Sequence, residues 1–99
     1  LHWTHAEACA AAQALLKRTG ELHYETWYRR FWEFCETHFI DRIHGSWHHE
    51  LNPDNQPSSN IWGGKPDLYH AWQAVVLPAL PLAPSMTSAL SAGRYVTKW

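Results

Sequence analysis

Residues 22–39 read LHYETWYRRFWEFCETHF, and this stretch decides the fold. Its apolar side chains recur at the spacings of an α-helix, at Trp27, Phe31, Phe34, Cys35 and His38. Further aromatic side chains widen this stripe, at Tyr24, Tyr28, Trp32 and Phe39. A helix that is apolar over so much of its circumference packs against neighbours on more than one side. The stretch therefore predicts a central helix in an all-α fold.

The residues before this stretch predict a second helix, over residues 1–18. The segment is rich in alanine, the strongest helix former. Lys17 and Arg18 suit the negative end of a helix dipole, and Gly20 suits the left-handed residue that follows a helix. Because only residues 19–21 remain as a connection, we expect the two helices to be antiparallel neighbours.

The residues after this stretch predict a small insert and further helix. Residues 41–64 lose the helical spacing and contain the turn-rich run NPDNQPSSN at 52–60, which predicts a small β-hairpin or an ordered loop. Pro66 and Asp67 favour the start of a third helix, running to about residue 76. A last short helix is expected over residues 85–92.

Composition excludes several classes of protein. The chain has 99 residues, which allows one domain at most, and its 45% hydrophobic and 14% aromatic content excludes a disordered chain. Eight basic and nine acidic residues give a formal charge of −1, so we expect no nucleic-acid partner and no anionic membrane surface. No apolar run is long enough to span a bilayer.

The cysteines and the N-terminus bear on the compartment. Cys9 and Cys35 are far apart in sequence and match no metal or redox spacing, so free buried thiols in a reducing compartment are expected. No signal-peptide pattern precedes the first helix, and a cytoplasmic location follows. Because the sequence begins at Leu1, we expect a processed chain or one cut from something longer.

The eight histidines raise the question of a metal site. His44 and His48 are four residues apart, and His2 and His5 are three apart. Zinc sites need three or four ligands, and the sequence has neither His-Glu-x-x-His nor Cys-x-x-Cys. We therefore predict no metal site.

Two parts of the chain carry side chains suited to a sugar. Trp3 and Glu7 are four residues apart in the first predicted helix, so a ring and a carboxylate lie on one face. His70 follows the loop at 63–66, where an imidazole, which titrates near neutral pH in general, can exchange protons with a substrate. The alternatives are structural: a packed Trp, a solvated Glu and a hydrogen-bonded His. The same two interpretations are open for His49 and Glu50.

Several motifs together resemble one known family. They are, in order, HWTHAEA (2–8), TGE (19–21), WEF (32–34), HFID (38–41), GSWHHEL (45–51) and GKPDLYHAWQA (64–74). Their order and spacing, over about residues 1–82, resemble the C-terminal quarter of the N-acylglucosamine 2-epimerase family. The similarity is to the aldose–ketose isomerase branch, the mannose and sulfoquinovose isomerases. In the cellobiose 2-epimerase branch a His-Asn-x-Arg-Met-like run replaces the end of the last motif.

The resemblance implies a fold and a site. The family fold is an (α/α)6 barrel, so residues 1–99 are expected to form its C-terminal part, with the N-terminal barrel helices of the parent as their partner. His70 corresponds to one of two catalytic histidines, and Trp3 and Glu7 to a Trp–Glu pair that lines the sugar site. No cofactor is implied.

The resemblance also implies a reaction. One imidazole removes a proton from the carbon next to the carbonyl of a monosaccharide, giving a cis-enediol, and a second group returns it to the neighbouring carbon. We expect the chain alone to be inactive, because the second group belongs to absent helices. Two alternatives stay open, a 2-epimerase of the same family and a non-catalytic helical interaction domain.

Overall fold

The computed structural model describes residues 1–61, 63–66 and 68–83, together with residues 88, 90 and 91. Helices dominate these residues, which confirms the predicted all-α fold with a small hairpin. The elements in chain order are α1 (His2–Thr19), α2 (Leu22–Phe34), a π-helical turn (Cys35–Phe39), β1 (Glu50–Leu51), β2 (Pro57–Ser58), α3 (Tyr69–Val76) and a 3₁₀ turn (Leu77–Ala79).

The connection between α1 and α2 forms as the sequence predicts. Gly20 has φ 70°, and its backbone N–H donates to the carbonyl of Leu16 at 2.8 Å. This left-handed residue ends α1 and reverses the chain. His5, near the start of α1, stacks on Phe34, at the end of α2, with ring centroids 4.7 Å apart. Because these residues are remote from the connection on both helices, α1 and α2 are antiparallel.

The predicted helix over residues 22–39 is helical throughout, but its last turn is wider than an α-helix. The N–H of Ile40 donates to the carbonyl of Cys35 at 2.9 Å, five residues back. This widening turns both Cys35 and Phe39 into the core, where both are fully buried. No residue of α2 itself is buried.

The core lies between α1, the π-helical turn and α3. Its buried side chains are mostly small: Ala6, Cys9, Cys35, Phe39, Trp47, Ala71 and Ala74. Alanines on α1 and α3 let the two helices approach closely. This close contact fixes how the start of α3 lies against α1.

The two cysteines are buried and free, which confirms the expectation from the sequence. They are far apart in sequence, yet both lie in the same core cluster of the fold. Contact with Cys35, together with burial, raises the pKa of the Cys9 thiol far above its usual value. Because the thiolate is the reactive form, this raised pKa lowers the reactivity of the Cys9 thiol.

The predicted hairpin is confirmed as a two-stranded antiparallel sheet, in which Glu50 pairs with Ser58. Asn52 shapes its turn, because its side-chain oxygen accepts the N–H groups of Asp54 at 2.9 Å and Gln56 at 3.0 Å. An isolated bridge joins Ile40 to Trp47 just before the hairpin.

The third helix begins later than predicted, at Tyr69 rather than at residues 66–67. Pro66 is buried outside the helix, and Lys65 is bound to the turn at residues 41–46, so the chain is held in a loop up to this point. Asp67 lies outside the described residues, as does most of the short helix predicted over 85–92. Among the described residues, no helix combines the length and apolar character needed to cross a membrane.

Candidate active site

A carboxylate and an imidazole meet where α1 faces the start of α3. Oε1 of Glu7 lies 2.9 Å from Nδ1 of His70. An ionised carboxylate only accepts hydrogen bonds, so Nδ1 of His70 carries the proton and donates it. The other ring nitrogen, Nε2, is then the one that can exchange a proton with a substrate.

The small residues beside this pair explain why it forms. Ala6 precedes Glu7 in α1, and Ala71 follows His70 in α3, and both alanines are buried in the contact between the helices. Larger side chains there would push the two helices apart. The side chain of His70 is 19% exposed and that of Glu7 51% exposed, so the pair lies at the edge of the core and remains open to solvent.

Trp3 lies one helical turn before Glu7 and lines the same region. Its ring centroid is 6.1 Å from that of His70, with the two ring planes 34° apart. Trp3 is 43% exposed, so part of its ring is free to contact another molecule. The structure thus brings together the three residues that the sequence singled out; their roles in binding and catalysis stay predictions.

His2, which the sequence raised only in the question of a metal site, is also a member of this cluster. It is only 3% exposed, and its ring meets that of His70 edge to face, with centroids 6.0 Å apart. The ring of His49 lies 5.1 Å from the ring of His2, and the N–H of His2 donates to the carbonyl of His49 at 2.9 Å. No sequence spacing links residue 2 to residue 49, because only the tertiary fold brings them together.

Glu50, beside His49, has a structural role. Its carboxylate accepts the N–H of Ile61, at 3.0 Å and 3.2 Å from its two oxygens, which holds the end of the hairpin loop. Burial alone would raise the pKa of Glu50, but the N–H groups of Ile61 and Asn60 and the hydroxyl of Ser58 lower it on balance. Of the two interpretations open for Glu50, a sugar-binding residue or a structural one, the structural one therefore applies.

The described residues contain no group of three or more His, Cys, Asp or Glu side chains arranged to hold a metal ion. The rings of His49 and His70 each meet the ring of His2 edge to face.

Comparison with known proteins identifies the family. Residues 1–74 match the family model of N-acylglucosamine 2-epimerase (GlcNAc 2-epimerase). The chain belongs to this family. The matched segment of this epimerase-family chain contains Trp3, Glu7 and His70.

Two curated relatives are similar over most of the chain. A D-mannose isomerase of Pseudomonas cannabina pv. alisalensis is 70% identical over 91 residues, which are 92% of this chain and 22% of the relative. A D-mannose isomerase of Thermobifida fusca is 53% identical over 92 residues, which are 92% of this chain and 23% of the relative. The chain thus spans less than a quarter of the length of these relatives.

Proposed function

We propose that this chain supplies one half of the acid–base machinery of a sugar isomerase that interconverts an aldose and a ketose, such as mannose and fructose. The observation that carries the proposal is the hydrogen bond between Glu7 and His70 at 2.9 Å, beside the partly exposed ring of Trp3. The similarity to two proteins named D-mannose isomerase supports the choice of substrate.

His70 transfers the proton in this mechanism. With Nδ1 committed to Glu7, Nε2 takes the proton from C2 of the open-chain aldose, and the electron pair moves into a C1–C2 double bond. The carbonyl oxygen O1 takes up a proton from a second acid group or from water, which gives the cis-enediol. Return of a proton to C1, with loss of the proton from the C2 hydroxyl, leaves the ketose. The substrate is neither oxidised nor reduced overall, and a positioned general base of this kind contributes about 10²- to 10⁴-fold in rate.

Glu7 and Trp3 prepare the site for this step. The Glu7 carboxylate fixes the tautomer and the plane of the His70 ring, and its negative charge stabilises the imidazolium that forms when the proton is taken. Trp3 offers an aromatic face on which the C–H face of a sugar stacks. Both side chains are partly exposed, as contact with a substrate requires.

The second acid–base group lies outside these 99 residues in this proposal. The chain forms the C-terminal part of an (α/α)6 barrel, and the preceding helices of the barrel supply the other histidine and cover α2. The exposure of α2 supports this arrangement: Trp27 is 47% exposed and Leu22 is 73% exposed. The isolated chain therefore has no isomerase activity of its own.

The proposal is tested with the intact protein that carries this chain. The purified protein is incubated separately with D-mannose, sulfoquinovose and D-glucose, and the products are identified by NMR. A His70→Ala variant with an unchanged circular dichroism spectrum is the control for contaminating activity.

We expect wild-type protein to convert D-mannose to D-fructose and His70→Ala to be nearly inactive. Formation of D-glucose from D-mannose without a ketose would instead assign 2-epimerisation, the reaction for which the matched family is named. If none of the three sugars is converted, the proposal of an enzyme is refuted, and the non-catalytic helical interaction domain remains as the alternative.

A further inference from the structure

A second group of polar contacts, which shares no residue with the Glu7–His70 pair, binds the loop before α3 to the turn at residues 41–46. Nζ of Lys65 donates to the carboxylate of Asp41 and, at 3.1 Å, to the carbonyl of Gly45. We call Lys65 with these two acceptors the Lys65 anchor. His70 lies only five residues after Lys65, so the anchor is close in the chain to the start of α3.

The turn that receives Lys65 is rigid. Asp41 is buried, and its Oδ1 also accepts the N–H groups of Ile43 and His44, both at 2.9 Å. Its backbone is bound on both sides, to Ser46 at 2.9 Å and to Gly45 at 3.0 Å. The Lys65 ammonium and the two N–H groups hold the pKa of Asp41 well below its usual range, so the carboxylate stays charged at neutral pH.

Besides the Lys65 anchor, the Glu7–His70 hydrogen bond and the packing of Ala71 and Ala74 against α1 constrain the start of α3. No side chain of the described residues caps the N-terminus of α3. The small side chains of Ala71 and Ala74, which α3 buries in the core, offer few projecting atoms to resist sliding along α1.

The other end of α3 is held from α1, where Nζ of Lys17 donates to the carbonyl of Leu77 at 3.0 Å and to that of Leu80. One lysine thus constrains each end of α3.

The turn at residues 41–46 is also connected to α1. The N–H of His48 donates to the carbonyl of Phe39 at 2.6 Å, and the carbonyl of His49 accepts the N–H of His2 at 2.9 Å. The segment from residue 39 to residue 49 therefore contacts the start of α1, where Trp3 lies, and through Lys65 the start of α3, where His70 lies.

We propose that Lys65, through Asp41, is a positioning residue that sets the place of His70 relative to Glu7 and so controls the rate of proton transfer. The inference rests on the proposed function for its effect on rate, whereas its effect on α3 is independent of any reaction. Lys65 does not touch the reacting groups in this account.

The first experiment measures α3 itself by hydrogen exchange of the intact protein. In Lys65→Met we expect the amides of residues 72 and 73, the first in α3 to donate backbone hydrogen bonds within the helix, to exchange at least about tenfold faster than in wild type, because the start of α3 loses its constraint. Lys65→Arg, which can bind the same carboxylate, should keep the wild-type rate. Arg42→Met is the matched control. Arg42 is exposed and follows Asp41 in sequence, and its side chain makes no hydrogen bond or ion pair with another described residue.

The second experiment measures turnover of the same variants. We expect Lys65→Met to lower kcat by about 10- to 100-fold with KM changed by less than about threefold, since misplacing a catalytic group by about 1 Å costs about 100-fold. Lys65→Arg should restore kcat to within about threefold of wild type. Asp41→Asn combined with Lys65→Met should lose no more than the worse single variant, because both changes remove one interaction.

The outcomes separate the two proposals. Wild-type protein without sugar turnover refutes the proposed function, and hydrogen exchange then decides the anchor alone. Unchanged exchange at residues 72 and 73 in Lys65→Met refutes the anchor whatever the turnover. Global unfolding of Lys65→Met, or a rise in KM with kcat unchanged, also overturns it, because the pair would then serve stability or sugar binding rather than the position of His70.

Discussion

Replacing Glu7 by Gln removes one negative charge from the Glu7–His70 pair and leaves the size of the side chain almost unchanged. In the proposed mechanism this charge stabilises the imidazolium that forms when His70 takes the proton. The change should therefore lower kcat and leave the binding of the sugar nearly intact.

The expected size of the effect follows from the geometry. The Nδ1–Oε1 distance of 2.9 Å is that of a good hydrogen bond. Hydrogen bonds to charged groups contribute about 1.5–3 kcal/mol and neutral ones about 0.5–1.5 kcal/mol. Since the Glu7 side chain is 51% exposed, we take the low end of the difference, about 1 kcal/mol, which corresponds to a loss of about fivefold in kcat. Glu7→Ala, which removes the acceptor as well, should lose about 10- to 30-fold.

The assay is steady-state conversion of D-mannose by the intact protein, with kcat and KM measured separately. Glu36→Gln is the matched control, because Glu36 is exposed and makes no hydrogen bond or ion pair with another described residue. A higher KM with unchanged kcat in Glu7→Gln would mean that Glu7 binds sugar hydroxyls instead, and unchanged kinetics in both Glu7 variants would refute any role for the pair.

Three further predictions concern the same region of the intact protein. His70→Ala should remove most of the turnover without changing the unfolding midpoint, because the ring lies at the edge of the core; a large loss of stability would contradict this. Ala74→Leu should destabilise the protein by about 1–3 kcal/mol in denaturant unfolding, since Ala74, in α3, is fully buried in the core that α3 forms with α1. Because the pKa of Asp41 is lowered in the fold, its contribution to stability is present above its ordinary pKa near 4 and is lost as the pH falls further. Asp41→Asn should thus be less stable at pH 7, and its free energy of unfolding should vary less between about pH 5 and pH 2; an unchanged pH dependence would refute the ion pair.

The sequence predicts the helices well because their signals are local. The alanine-rich segment, the Gly20 cap and the apolar spacing of residues 22–39 each act within a few residues, and each forms as expected. The sequence places the start of α3 too early, because Pro66 and Asp67 favour a helix locally, whereas the contact of Lys65 with Asp41, 24 residues away, keeps Lys65 and Pro66 outside the helix.

The candidate site likewise combines local signals, which the sequence shows, with long-range contacts, which it does not. The spacing of Trp3 and Glu7 places them on one face of α1, so their proximity is visible in the sequence. Their contact with His70 spans 63 residues for Glu7, and it was expected only through the family resemblance. The part of His2 was missed because its burial under His70 and its contact with His49 depend on tertiary packing alone.

Proton transfer at the sugar carbons is the central claim, and isotope incorporation tests it most directly. The intact protein is incubated with D-mannose in D₂O, and deuterium at C1 of the ketose is measured by NMR or mass spectrometry. We predict D-fructose with solvent deuterium at C1, and loss of both product and label in His70→Ala. Fructose that forms without any deuterium at C1, or with the same label and rate in His70→Ala, would contradict proton transfer by this histidine.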